Sequence, residues 1–217
     1  MRARRPAGGT QARAERSRQA VIDETVSYVL QEGFAPPSIR QITERAGMTW
    51  GAVQYHFGDL HGILMAVVDK GFAELLDTLD ELPGRAAQIA PEDRPAFVVE
   101  AVWQAFSSPT SMAALEILIA TRSARTATAN AHLAAMSARM ADIGQHLGTE
   151  LAPSQATRLG KLIWSTVRGM VALQLTWPKP LDSSRDRQML VEVITAYLTN
   201  QQPETNQQPE PNERLTT

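Results

Sequence analysis

The chain of 217 residues contains no cysteine. Disulfides, thiolate metal sites and a cysteine redox switch are therefore excluded. No apolar run approaches the ~18 residues that a membrane span needs. No apolar stretch follows the arginine-rich start, so a secretory signal is not expected. Long period-2 runs of β-branched residues are also missing, and alanine and leucine abound, so the chain should be nearly all helix. There is no charge excess either. The 21 Lys and Arg against 23 Asp and Glu leave a formal charge of −2, so global basicity is no argument for nucleic acid. A soluble, cytoplasmic protein is expected. Its 43% apolar content is ample for a core. Its length suits one large domain, or a small one with a larger one. The chemistry of catalysis is equally thin. His56, His61, His132 and His146 show no metal-ligand spacing. No Gly-x-Ser-x-Gly elbow and no phosphate loop after a strand occurs. No catalytic residue, metal or cofactor is expected.

What is present is concentrated between Ser38 and Leu64. This stretch reads as a short helix, a tight turn at Ala46-Gly47-Met48, a second short helix and the start of a further helix near Asp59. Two helices joined by a glycine-containing turn form a helix-turn-helix, whose second helix can enter a DNA major groove. Ser38 and Gln41 make a capping-box pattern. Ile39, Ile42 and Ala46 share one face. Gly47 stands where a helix stop needs a left-handed residue. Thr49 is a cap for the second helix. There Val53 and Phe57 face inward, while Trp50 with Gln54, and Gly51 with Tyr55, lie on the other side at i, i+4. The candidate DNA-binding residues are Ser38, Arg40, Thr49, Trp50, Gly51, Gln54, Tyr55 and His56. The plainer alternative is a helical hairpin with Trp50 and Tyr55 in its core.

From about Arg18 to Leu79 the chain resembles the TetR/AcrR family of transcriptional regulators. The likeness rests on Gly33-Phe34 closing the first helix and on Ser38-Ile39-Arg40-Gln41-Ile42. It continues through Ala46-Gly47-Met48-Thr49 to Gly51-Ala52-Val53-Gln54-Tyr55-His56-Phe57. Two positions depart from the family pattern. Gln54 stands where the family usually has Tyr, two residues before the His. Leu60 replaces a Lys that in the family approaches a phosphate, with His61 beside it. The resemblance implies a helical body that binds an effector and a dimer built from the last two helices.

Local signals divide the chain. The first eighteen residues hold Arg2, Arg4, Arg5, Arg13, Arg16 and Arg18 against Glu15 alone. Such an arm either follows phosphates or enters the minor groove, or else is a solubilising terminus. Residues 1–11 are expected to be a flexible basic arm, 12–58 the DNA-binding domain and 59–200 the ligand-binding and dimerisation domain. The tail 201–217 repeats Gln-Gln-Pro-Glu and should be disordered. Helices are expected at about Ala12 to Gln31, Asp59 to Leu82 with Pro83-Gly84 as its stop, Pro95 to Phe106 behind an Asp93 cap, Thr110 to Ser123, Thr128 to Leu147, Ser154 to Trp177 and Ser184 to Leu198.

Trp103, Phe106, Met112, Glu116, Met136, Trp164 and Arg168 are the candidate ligand-binding residues. They place large adaptable side chains and a few polar groups within apolar runs, as ligand cavities do. Each also fits an ordinary core, and Glu116 also fits a solvent-facing position. Leu159, Leu162, Ile163, Thr166, Val167, Met170 and Leu173, with Leu190, Val193, Ile194 and Tyr197, form apolar stripes. These serve either a dimer contact or an internal core. The expected protein is an all-α, homodimeric, ligand-responsive regulator, a repressor of a pseudo-palindromic operator on double-stranded DNA. Alternatives are an activator, a regulator answering to a protein partner, and a helical enzyme with a relic helix-turn-helix.

Overall fold

Residue types at the helix ends set most boundaries of the molecule. The computed structural model describes residues 7–33, 38–124, 127–147 and 151–200. Among the described residues there are nine α-helices and no strand. They are α1 Ala7–Glu32, α2 Ile39–Arg45, α3 Trp50–Phe57, α4 Leu60–Ala86, α5 Arg94–Phe106, α6 Pro109–Ala120, α7 Ala127–Ile143, α8 Pro153–Thr176 and α9 Ser184–Thr199. Oxygen side chains at Ser38, Thr49, Asp59 and Ser108 each accept an amide from the first turn of the helix that follows, satisfying donors that the helix itself leaves free. Gly33 and Gly47 end α1 and α2 with φ of 70° and 62°, a region that costs other L-residues energy. No described helix is long and apolar enough to cross a membrane.

Two apolar clusters organise these helices. Val21, Ile42, Val53 and Ile63 form a small one beneath α2 and α3, with Ala46, Met48, Phe57 and Leu60 packed around it. A larger one fills the body. The first helix serves both, because Val21 points into the small cluster and Ile22, Val26 and Val29 into the large one. Ile63 belongs to α4, so the small cluster draws on a residue beyond residue 58. The long helix α4 runs on into the body, where Leu64, Val67, Val68, Phe72, Leu75, Leu79 and Leu82 are buried. Each such side chain contributes about 1.5–3 kcal/mol. Within the body α6 packs on both α4 and α1, and α7 crosses α8 in backbone contact. A Cβ on Gly160 would lie 2.1 Å from the Met140 carbonyl oxygen, and one on Gly144 1.7 Å from that of Ala156.

Several expected boundaries shift. The first helix starts by Ala7 instead of Ala12, so residues 7–11 are helical and not a flexible arm. Gly8 and Gly9 weaken that turn by about 1 kcal/mol each but do not break it. Pro83 does not stop α4, which continues to Ala86. Its ring already holds a helical φ, one bond is lost, and buried Ala86 anchors the extra turn. Asp93 makes no side-chain cap. Its backbone, φ −91° and ψ −12°, already continues the 3-10 turn Pro91–Asp93. α6 ends at Ala120, where the Thr121 hydroxyl donates to the Ile117 carbonyl at 2.7 Å and competes with the next turn. α7 ends at Ile143 and passes into a 3-10 turn, Gly144–His146. The remaining ends lie within a residue of expectation. The tail 201–217 and Arg2, Arg4 and Arg5 lie outside the described residues.

Candidate nucleic-acid interface and body cavity

The start of α2 is held against α1 by a network centred on Gln41. Its Oε1 accepts from the Ser38 amide at 3.2 Å, the Ser38 hydroxyl at 3.1 Å and the Tyr28 hydroxyl at 3.3 Å. The Gln41 amide donates back to Ser38 Oγ at 3.2 Å. Ser38 is thus committed to capping. Tyr28 is a buried anchor that the sequence reading missed. It lies beside the Ile22–Val26–Val29 stripe, and a buried phenol needs a polar partner. Arg45 stacks on the Tyr28 ring at 5.4 Å, pairs with Glu24 and donates to Gln31 at 3.0 Å. These bonds lock α2 onto α1. Arg18 lies over the Phe57 ring at 5.6 Å and ties α3 to the same helix.

The free side of α3 then faces solvent. Val53 is fully buried, whereas Trp50 is 42% exposed and Tyr55 85% exposed. Gln54, Gly51 and Thr49 are exposed with them. A Cβ at Gly51 would meet nothing within 4 Å. The core-aromatic alternative for Trp50 and Tyr55 is therefore overturned. Thr49 Oγ1 accepts from the Ala52 amide at 3.4 Å, so its hydroxyl faces the helix start. His56 is half-buried, with its ring edge-on to Tyr55 at 5.3 Å. Arg40 is exposed on α2 and bonded to Glu44 at 2.7 Å. That hydrogen bond raises the guanidinium's proton affinity above its ordinary value. Leu60 is partly buried against both clusters. His61 is exposed, and Asp59 caps α4 through the Gly62 amide at 2.8 Å.

The body contains a narrow cavity of about 30 Å³. Gly71, Phe72 and Leu75 of α4, Phe106 of α5, Ser111, Ala114, Leu115 and Leu118 of α6, Leu133 and Met136 of α7, and Arg168 of α8 line it. Among the seven candidate ligand residues, Phe106, Met136 and Arg168 are in this wall and four are not. Trp103 lies beneath Arg187 at 4.5 Å, in a tie between α5 and α9 that Glu100 completes at 3.1 Å. Glu116 faces α1, with its Oε1 3.8 Å from where a Cβ of Gly33 would stand. Met112 packs on the body core, and Trp164 carries the Arg168 guanidinium on its ring at 5.6 Å. Phe72 and Ser111 are wall residues that the sequence reading missed. No periodicity marks a serine in a helix's first turn as cavity-facing.

Comparison with known proteins bears on what this arrangement is. No family model matches the chain. SrpR, an HTH-type transcriptional regulator of Pseudomonas putida, is 34% identical over 110 residues, which is 51% of this chain and 49% of SrpR. The match thus spans about half of that relative. TtgW of the same species, described as an uncharacterized HTH-type transcriptional regulator, is also 34% identical over 110 residues. There the match covers 51% of this chain and 78% of TtgW. The chain belongs to the TetR/AcrR family of transcriptional regulators. The solved structure of PfmR, a TetR family regulator of Thermus thermophilus, shares the fold. It has a TM-score of 0.55 and 16% identity, covering 83% of this chain and 96% of PfmR. In this TetR/AcrR regulator the two departures from the family pattern lie on different surfaces. Gln54 is on the exposed side of α3, and Leu60 is drawn into the core.

Proposed function

We propose that this regulator binds a pseudo-palindromic operator as a homodimer and releases it when a small effector enters the body. The observation that carries the DNA reading is the exposed face of α3. Trp50, Gly51, Gln54 and Tyr55 share it, on the helix that follows an α2 locked onto α1 through Ser38, Gln41 and Tyr28. Groups of this kind suit base edges and phosphates. We read the DNA-binding unit as running from α1 through Ile63, with the remaining helices as the effector and dimer domain. The protein acts as a regulator and not as an enzyme, in the cytoplasm. A gel shift with DNA from upstream of its own gene tests this. Specific retardation that competitor DNA does not abolish is expected. Equal affinity for all DNA would reject an operator-specific role.

Gln54 supplies a sharper test. A glutamine can bond an adenine edge through two hydrogen bonds, worth about 1–3 kcal/mol of discrimination. Gln54→Ala should weaken operator binding and relax preference at one base pair per half-site. Uniform weakening on every sequence would assign Gln54 to a phosphate instead.

The homodimer is supported by exposed apolar groups on α8 and α9. Leu162 is 45% exposed and Val193 51% exposed, beside one groove with Tyr197. Burying such a face in a symmetric pair also doubles the DNA contact. Leu162→Glu with Val193→Glu should give a folded monomer by light scattering and greatly reduced operator affinity. A persistent dimer would move the interface elsewhere.

Effector control is supported by the position of the cavity between α4 and α6. Its walls leave far less than the roughly 300 Å³ a typical ligand site offers, so an occupant has to push them apart. The helix α4 begins in the small cluster beneath α3, and α6 touches α1. Widening the cavity therefore shifts the equilibrium towards a spacing of the two reading heads that no longer fits successive grooves.

A further inference from the structure

Ser111 is 7% exposed, and its hydroxyl has no hydrogen-bond partner among the described residues. A buried hydroxyl left in that state destabilises the fold. Capping does not account for it, because Ser108 Oγ is the cap of α6 and accepts from the Ser111 amide at 3.3 Å. The hydroxyl belongs instead to the cavity wall. Among the described residues of that wall one side chain is charged, Arg168, which also keeps contacts of its own. The guanidinium lies over the Trp164 ring at 5.6 Å, a contact that favours the cation. Arg is a donor with no acceptor, and a serine hydroxyl can rotate to donate. The first turn of α6 adds the positive end of a helix dipole. The other walls, including Phe72, Leu75, Phe106 and Leu115, are apolar. The wall therefore presents an occupant with a hydroxyl and a cation among apolar groups.

We propose that the cavity takes an amphipathic anion. Its apolar body lies between α4, α6 and α7, and a carboxylate-type headgroup accepts from Ser111 and Arg168. This rests on the effector reading above and names the effector's class. The unsatisfied hydroxyl is then a cost of the empty site that the headgroup removes. Functional groups that lower the stability of the free protein are a recurrent feature of binding sites.

The test uses the full chain and three probes that share one ring system: 2-naphthoate, 2-naphthylmethanol and 2-naphthylmethylammonium. Calorimetry should find the carboxylate bound about 10-fold or more tighter than the ammonium. Arg168→Met should bring the two within about 3-fold and leave the alcohol unchanged, while Arg168→Lys keeps the preference. A preference that returns with lysine reports charge and not folding. Ser111→Ala should weaken the carboxylate roughly 3- to 10-fold, yet leave the melting temperature of the free chain unchanged or higher. Equal or tighter binding of the ammonium, an intact preference in Arg168→Met, or no binding of any probe at millimolar concentration would overturn the anion site. Operator release is measured separately. Naphthoate that binds with the expected preference but leaves the operator bound would remove the effector reading and keep the anion site. Ammonium preference with normal release would do the reverse.

Discussion

Replacing Gly160 with alanine should lower the melting temperature by roughly 6–12 °C, as about 3 kcal/mol of stability is lost. The new Cβ would stand 2.1 Å from the Met140 carbonyl oxygen and 3.0 Å from the Gly144 amide nitrogen. Both are backbone atoms, so no side chain can swing away. The helices α7 and α8 would have to separate, and Met140 and Ile163, buried between α7, α8 and the rest of the core, would lose their packing. Gly169 is the internal control. It lies on the same helix with nothing within 4 Å of its would-be Cβ. Gly169→Ala should raise stability by up to about 1 kcal/mol through helix propensity alone. Thermal denaturation followed by circular dichroism checks the pair. Equal melting temperatures for the two variants would show that the crossing of α7 and α8 is not as close as described.

Gly62→Ala should cost roughly 100-fold in operator affinity, about 1.4 kcal/mol in each half-site, while the body stays folded and dimeric. Gly62 is in the first turn of α4, and a Cβ there would lie 1.9 Å from the Phe57 carbonyl oxygen. That oxygen ends α3. An alanine therefore has to push the recognition helix off the helix beneath it. Val53 and Ile63 hold the two together through the small cluster, which is too small to absorb the strain elsewhere. The change moves Gln54 and Tyr55 without altering either. Near-normal operator affinity in a folded Gly62→Ala dimer would mean that the corner between α3 and α4 can open without moving the reading face.

Local chemistry made the helix-turn-helix legible. The Ser38 capping box, the Thr49 cap and the left-handed glycines each depend on neighbours within four residues. The exposed side of α3 follows from 3.6-residue periodicity, once Val53 and Phe57 are taken as inward. Where local signals competed, the reading slipped. Pro83 reads as a stop, but buried Ala86 holds one more turn. Asp93 reads as a cap, but the preceding 3-10 turn sets its backbone first. Residue 58 reads as a domain boundary, but the small cluster needs Ile63 from the next helix.

The amino-acid sequence by itself determined an all-helical chain without thiol chemistry, a helix-turn-helix with the exposed side of its second helix and its caps, and apolar stripes on α8 and α9. All of these follow from residue type and short-range spacing. Only the tertiary structure decided how the stripes divide. Leu159, Ile163, Val167, Leu190 and Ile194 are buried within one chain, whereas Leu162, Leu173 and Val193 are exposed. It also moved Trp103 and Glu116 out of the cavity wall and brought Ser111 and Phe72 into it. A helix's pattern says which of its faces is apolar. It does not say which other helix lies against that face. That choice depends on crossings such as Gly144 against Gly160, where contact is made between residues far apart in the chain.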